Sequence, residues 1–404
     1  MPNVSFSGLL LVTVVAFAAP LLLGLSPARR LPSVVLEIIA GILIGPSVLG
    51  WVRVDLPIQI LALLGLAFLL FLAGLEVELE RLKGRLLVFV SIGFLLSLGL
   101  ALLVGFVLYL GGQVLSPLFI AIVLVATALG VVVPLLKDAG ESESSFGQLV
   151  IAGAMFAEFG SIILLSLFFS REATSTSTKL VLLAGFILLA TAFAFVVLRL
   201  ERFMRLAAVL QRLQDTTAQL RVRGAFMLLV AFVALAGALG LETILGAFIA
   251  GVILMLVDKD RMMTHPQFRQ KLEAIGLGVF VPVFFVSSGL NFNLAALLAS
   301  PSTLLRIPIF LLALLLVRGV PALLYRPLVG GRRSIIAGLL QATSLSFIVA
   351  ASQIGLELHL ITKATGAALV AAGLLSVLLF PIIALTLLRQ SKGEMKPEME
   401  SKHE

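Results

Sequence analysis

The chain contains no cysteine, which excludes disulfides, thiol nucleophiles and thiolate metal sites. Charge is scarce as well. Acidic and basic residues make up 12% of the 404, while 60% are hydrophobic; average soluble domains are about 25% charged and about 45–50% apolar. A water-soluble fold of this length could not hide that much apolar surface. Histidine is equally sparse: His265, His359 and His403 lie in loops and the tail, scattered from any carboxylate cluster. No zinc-hydrolase spacing, Walker motif or nucleotide-binding glycine loop is present. No nucleophile–base set occurs either, so an enzyme is the least expected class, ATP is not expected to be handled, and no cofactor is expected.

What remains is a series of long apolar runs separated by short polar punctuation. A run of about 20 apolar residues spans a bilayer as a helix, and only helices or closed barrels satisfy their backbone groups there. The runs lack the alternation of barrel strands, so the expected fold is an all-α membrane protein of about thirteen transmembrane helices. The expected spans are 6–24, 32–48, 57–75, 85–111, 116–137, 146–170, 179–199, 220–240, 243–257, 273–289, 303–325, 334–355 and 361–388. The start, Met1 to Gly8, lacks a basic region and a small-residue cleavage site, so the first run is expected to be retained. Residues 1–390 form the transmembrane domain and 391–404 a short, charged, disordered cytoplasmic tail.

The formal net charge of +8 does not point to nucleic acid, because the basic residues sit in loops. With the N-terminus outside, roughly 23 of the lysines and arginines face the cytoplasm and about 5 the exterior, as the positive-inside rule requires. The C-terminus is then cytoplasmic, and a bacterial inner membrane fits the compact chain. The segment from Leu200 to Leu220 reads as an amphipathic interfacial helix or a connector between two bundles. Glu76, Glu78 and Glu80 lie beside Arg81, Lys83 and Arg85 and read as a solvated helix boundary.

Three short strings recur in order. IIAGILIG at 38–45 resembles FIAGVILM at 248–255, AGLEVEL at 73–79 resembles SGLNFNL at 288–294, and ATALG at 126–130 resembles ATSLS at 342–346. The nearly constant offset marks an internal repeat. An odd number of helices between the copies makes it an inverted-topology repeat, as in secondary transporters, where broken helices at matching places form the binding site. The third pair supplies the candidates. Residues 116–137 hold Thr127, Gly130 and Pro134, and residues 334–355 hold Gln341, Thr343, Ser344, Ser346, Ser352 and Gln353. Unwound backbone offers carbonyl oxygens, Ala126 included, to a small hard cation. The plainer alternative is that these hydroxyls only bond back to the backbone.

Few ionisable residues lie well inside a span, and each is a functional candidate by default. Glu158 is the deepest carboxylate. Low dielectric penalises a bare charge there, so it holds a proton or a cation and seldom neither. Ser161, one turn on along the same face, is a further candidate ligand. Arg318 is the basic residue placed mid-span; a buried arginine requires a partner, with Glu158, Glu37 and Glu242 as candidates. Glu37 and Glu242 read as structural.

These residues resemble the monovalent cation/proton antiporter superfamily, in particular the potassium-efflux-antiporter subfamily and bacterial sodium/proton exchangers. The likeness covers about 8–388 and rests on LPSVVLEIIAGILIGPSVLG at 31–50, LLFLAGLEVEL at 69–79, TALGVVVPLLKD at 127–138, LGAFIAGVIL at 245–254 and PVFFVSSGLNFNL at 282–294. It implies two crossed broken helices, a core moving as an elevator, a dimerisation domain and homodimers. It places Thr127 at the broken-helix threonine, Glu158 where the family usually has aspartate, and Arg318 near a basic residue that compensates the empty carboxylate. This chain departs in carrying glutamate at 158 and alanine at 157, and no regulatory nucleotide-binding domain is expected after the spans. The expected function is exchange of Na⁺ or K⁺ for H⁺, with Glu158, Thr127, the Ala126 carbonyl and Ser161 forming the ion site. Thr343, Ser344 and Ser346 are the contribution of the second broken helix. The alternatives are an organic-anion/sodium symporter of similar design and a non-transporting sensor or channel subunit.

Overall fold

A computed structural model describes residues 6–25, 32–76, 84–169, 176–200, 219–257 and 266–400. All regular structure among them is helical. Among the described residues ten helices are long and apolar enough to cross a membrane, and shorter apolar helices lie at Ser33–Ile44, Leu180–Ala192 and Thr243–Leu256. Together they overlie the expected spans, and the protein is an integral, polytopic membrane protein. The interfacial helix expected within 200–220 lies outside the described residues, as do Glu78, Glu80, Arg81 and Lys83.

The chain divides into two compact units. The first comprises Met1–Arg29, Leu36–Val77 and Ile162–Asn291. Its helices are α1 (Phe6–Leu25), most of α2 (Ser33–Ile44), α3 (Leu56–Leu75), the end of α7 (Ser145–Phe169), α8 (Thr176–Leu200), α9 (Leu220–Ala238), α10 (Thr243–Val257), α11 (Pro266–Ile275) and α12 (Val281–Leu290). Asp55 begins α3, accepting the Ile58 amide at 3.1 Å, and Pro57 in the first turn supplies a fixed φ where no donor is needed. Val12, Ile44, Val52, Ile58, Val283, Val286 and Leu290 form one of its apolar clusters.

Two glycine crossings organise this unit. A Cβ built on Gly41 would lie 3.0 Å from the Gly289 Cα, and one on Gly74 would lie 3.0 Å from the Gly251 Cα. Only glycine, which has no Cβ, allows backbones so close. The sequence repeat equates Gly41 with Gly251 and Gly74 with Gly289. Each glycine therefore packs against the counterpart of the other, the exchange that a two-fold relation between copies produces.

The second unit comprises Arg30–Val35, Glu78–Ser161 and Phe292–Glu404. It holds α4 (Arg85–Leu110), α5 (Pro117–Val125), α6 (Leu129–Asp138), α7 as far as Ser161, α13 (Leu294–Leu298) and α14 (Pro301–Leu314). It continues with α15 (Val320–Ala322), α16 (Arg326–Val329), α17 (Gly331–Gln341), α18 (Ser346–Glu357) and α19 (Lys363–Glu400). A serine followed by proline starts both α5 and α14: Ser116 caps Phe119 and Ser300 caps Thr303. Between α14 and α15 the residues Leu315–Gly319 form a π-helical turn, which periodicity did not indicate. The tail, expected to be disordered, instead continues α19 to Glu400. The helix formers Glu, Lys and Met dominate there, and they extend a helix already nucleated upstream.

Candidate functional site

Both expected broken helices are broken, and neither break sits at a glycine or proline. The first separates α5 from α6 at Ala126–Ala128, with Ala126 and Ala128 in extended conformations. Gly130 and Pro134 lie beyond it inside α6. The second separates α17 from α18 at 342–345. The two breaks bond to each other. The Ala128 amide donates to the Thr343 carbonyl at 2.9 Å, and the Thr127 hydroxyl donates to the Gln341 carbonyl at 2.6 Å. Groups that helical bonding would have satisfied are satisfied across the crossing instead.

Glu158, on α7, is 4% exposed. Its Oε2 accepts the Leu129 amide at 3.0 Å. Leu129 is the first residue of α6, so the carboxylate sits at a helix N-terminus, where unpaired amides and the macrodipole favour an anion. Ser161 lies fully buried one turn further along α7, and its hydroxyl makes no hydrogen bond with any of the described residues.

Arg318 comes from the π-helical turn and is 2% exposed. The expected carboxylate partner is replaced by four neutral oxygens. Nε donates to the Thr127 hydroxyl at 3.0 Å, Nη1 to the Ser97 hydroxyl at 3.0 Å, and Nη2 to the Gly153 carbonyl at 3.1 Å and the Gln341 side chain at 3.4 Å. The Gln341 amide in turn donates to the Tyr325 hydroxyl at 3.5 Å. The guanidinium fork, with five donors in fixed geometry, thus joins α4, α7 and both breaks. The Thr127 hydroxyl is engaged on both sides, as donor to Gln341 and acceptor from Arg318.

Of the other candidates, Thr343 donates back to the Leu339 carbonyl at 3.2 Å. Ser344 is fully buried, and its hydroxyl has no partner among the described residues. Ser346 starts α18 and is partly exposed. Glu37 and Glu242, 3% and 6% exposed, are buried in the first unit, and the Ser166 hydroxyl accepts the Glu242 amide at 3.3 Å. Glu76 is no solvated boundary: its side chain is 24% exposed and lies 3.8 Å from Arg269. Sequence reasoning passed over Ser97, Tyr325 and Ser376 and left Gln341 without a role. The available signal for Ser97 and Ser376 was a polar residue in an apolar run, while Gln341 opens the polar string QATSLS at 341–346. Among the described residues, no three acidic or histidine side chains gather as a metal site.

Comparison with known proteins places this geometry in context. The family model for the transmembrane sodium/hydrogen exchanger matches residues 13–390. The chain is 31% identical over 413 residues to the putative Na(+)/H(+) antiporter YjbQ of Bacillus subtilis, covering 98% of this chain and 65% of that protein. It therefore spans slightly less than two thirds of that relative's length. It is 30% identical over 366 residues to the probable Na(+)/H(+) antiporter 3 of Methanocaldococcus jannaschii, covering 88% and 90% of the two chains. Among solved structures, the sodium proton antiporter MjNhaP1 of the same archaeon superposes with a TM-score of 0.66 at 18% identity, over 94% of this chain and 97% of that one.

Proposed function

Because the chain belongs to the transmembrane sodium/hydrogen exchanger family, we propose that it is a secondary transporter that exchanges a monovalent cation, Na⁺ or K⁺, for protons. The observation that carries this reading is Glu158, a carboxylate buried beside the crossing of two broken helices with one oxygen on the Leu129 amide. A carboxylate can take a proton or a hard cation at the same oxygens, and exclusive occupancy by one or the other is the chemistry of antiport. One such carboxylate supports one-for-one, electroneutral exchange.

Glu158, Thr127, Ala126, Gln341 and Arg318 all belong to one compact unit. That supports an elevator-type cycle in which this unit carries the ion as a body. The resemblance extends the proposal to a homodimer; the distribution of lysine and arginine supports an N-terminus outside, and the compact chain a bacterial inner membrane. Arg318 is bonded to the crossing itself, which supports a role in fixing the two breaks.

The test is proton flux in sealed proteoliposomes with a pH dye inside, on addition of NaCl, KCl, LiCl or choline chloride. Response to an alkali cation and not to choline is expected, with Glu158→Gln silent at normal expression. Glu158→Asp keeps the exchangeable carboxylate and retains flux with an altered cation KM. Unchanged flux in Glu158→Gln would remove Glu158 from the mechanism, and flux following an organic solute would favour the symporter.

A further inference from the structure

We propose that the Ser344 hydroxyl, on the second break, is a ligand of the transported cation, and that Ser376 is the residue that positions it. This rests on the antiport reading and adds a ligand from the other broken helix.

Ser344 is fully buried, and its Oγ hydrogen-bonds to no atom of the described residues. Buried hydroxyls nearly always have a partner, and the exceptions require a physical account. The backbone of the same residue is fully served. The Ser376 hydroxyl accepts the Ser344 amide at 3.1 Å and lies 3.0 Å from the Ser344 carbonyl and 2.8 Å from the Gly373 carbonyl. With a single proton it donates to one carbonyl at a time. Gly373 lies one turn before Ser376 on α19, and a Cβ there would come within 3.0 Å of the Ser344 carbonyl. The α19 helix thus lies close against the unwound segment and clips it through one fully buried hydroxyl. The clip satisfies the main chain and leaves the Ser344 side chain, with its lone pairs, uncommitted.

The crossing ties Ser344 to the carboxylate. Thr343 precedes it, and the Thr343 carbonyl accepts the Ala128 amide; the next amide, Leu129, binds Glu158. Ser344 and Glu158 therefore stand at the two ends of one short hydrogen-bonded path. The other hydroxyls at the crossing are less suited to a cation. Thr127 shares its oxygen with the Arg318 guanidinium, whose positive charge opposes a cation there. Thr343 is bonded back into α17. Ser344 is the threonine or serine of the two breaks whose oxygen is uncommitted.

The experiment measures sodium-driven proton flux over a range of NaCl at fixed pH, together with sodium-induced stabilisation of the purified protein against heat. Wild type is compared with Ser344→Ala, Ser344→Thr, Ser376→Ala and the double variant Ser344→Ala/Ser376→Ala. Loss of one ligand oxygen should raise the sodium KM, and the sodium concentration giving half the stabilisation, by about five-fold or more. In Ser344→Ala the kcat and the sodium-free melting temperature stay near wild type. Ser344→Thr keeps the hydroxyl and restores the KM. Because Ser376 acts through Ser344, Ser376→Ala shifts the KM in the same direction and the double variant is no worse than Ser344→Ala. A wild-type KM in Ser344→Ala overturns the proposal, as does a fall in kcat and melting temperature at constant KM. An additive double variant overturns the role of Ser376. If the wild type gives no cation-driven flux, the antiport reading fails; if it also shows no stabilisation by sodium, the ligand assignment fails with it.

Discussion

Thr127 and Gln341 are 214 residues apart, and the threonine hydroxyl donates to the glutamine carbonyl at 2.6 Å. One hydrogen bond thereby fastens the first broken helix to the second at its point of interruption. Arg318 bonds both residues from the side. The side chains of Thr127, Gln341, Arg318, Ser97 and Tyr325 form one connected hydrogen-bonded set.

Thr127→Val conserves volume and removes the hydroxyl. It leaves the Gln341 carbonyl without that donor and Arg318 Nε without its acceptor. The expected loss is about 1–3 kcal/mol of stability, the cost of an unsatisfied buried group. Thermal unfolding in detergent measures it, and Thr127→Ser, which keeps the bond, should stay close to wild type.

Arg318→Lys keeps a positive charge and loses the planar fork. An ammonium cannot span the Thr127 and Ser97 hydroxyls, the Gly153 carbonyl and the Gln341 side chain together. A larger drop in melting temperature is expected than for Arg306→Lys. Arg306 reaches only Gln113 and Thr365, in a part-buried setting. Equal drops would show that the fork geometry is unimportant.

Gly153→Ala places a methyl against the Gln341 amide and 3.3 Å from the Tyr325 hydroxyl. Overpacking of this kind costs about 1–3 kcal/mol. Gly130, inside α6, has nothing within 4 Å of a built Cβ. Gly130→Ala should be neutral or stabilising by up to about 1 kcal/mol, through helix propensity. The paired melting curves test whether proximity to the Arg318 network sets the outcome.

Glu76, just past the end of α3, has its carboxyl pushed up to about 7, chiefly by burial; Arg269 lowers it and Glu273 raises it. The folded state therefore binds the proton more tightly than the unfolded chain. Stability falls as pH rises from the ordinary carboxylate range through about 7, because the charged form is the disfavoured one in the fold. Glu76→Gln should match wild type near pH 4 and melt higher at pH 8. Melting temperatures across that range check the sign, and a variant less stable at pH 8 would show that the Arg269 contact outweighs burial.

The membrane character, the helix positions and which two helices are interrupted were legible in the sequence. Apolar run length is a local property, and polar residues at mid-depth in an apolar span have few explanations. Glu158 and Arg318 stood out on the same grounds. The repeat was visible as three strings, but which copy meets which was not: Gly41 packs on Gly289 and Gly74 on Gly251, and contact between copies depends on how helices pair in space.

The sequence by itself determined that the chain is helical, lies in a membrane and carries a deep carboxylate and a deep guanidinium, because bilayer solvation allows few alternatives. Tertiary structure decided where the helices break and what the arginine serves. Gly130 and Pro134 offered local break points, yet α6 passes through both and the chain opens at Ala126–Ala128. There the Ala128 amide finds the Thr343 carbonyl, an acceptor supplied by a helix more than two hundred residues away. Likewise Arg318 is held by four neutral oxygens from distant helices. A buried donor takes whichever acceptors folding brings within reach, and their number and direction exist only once the helices are packed.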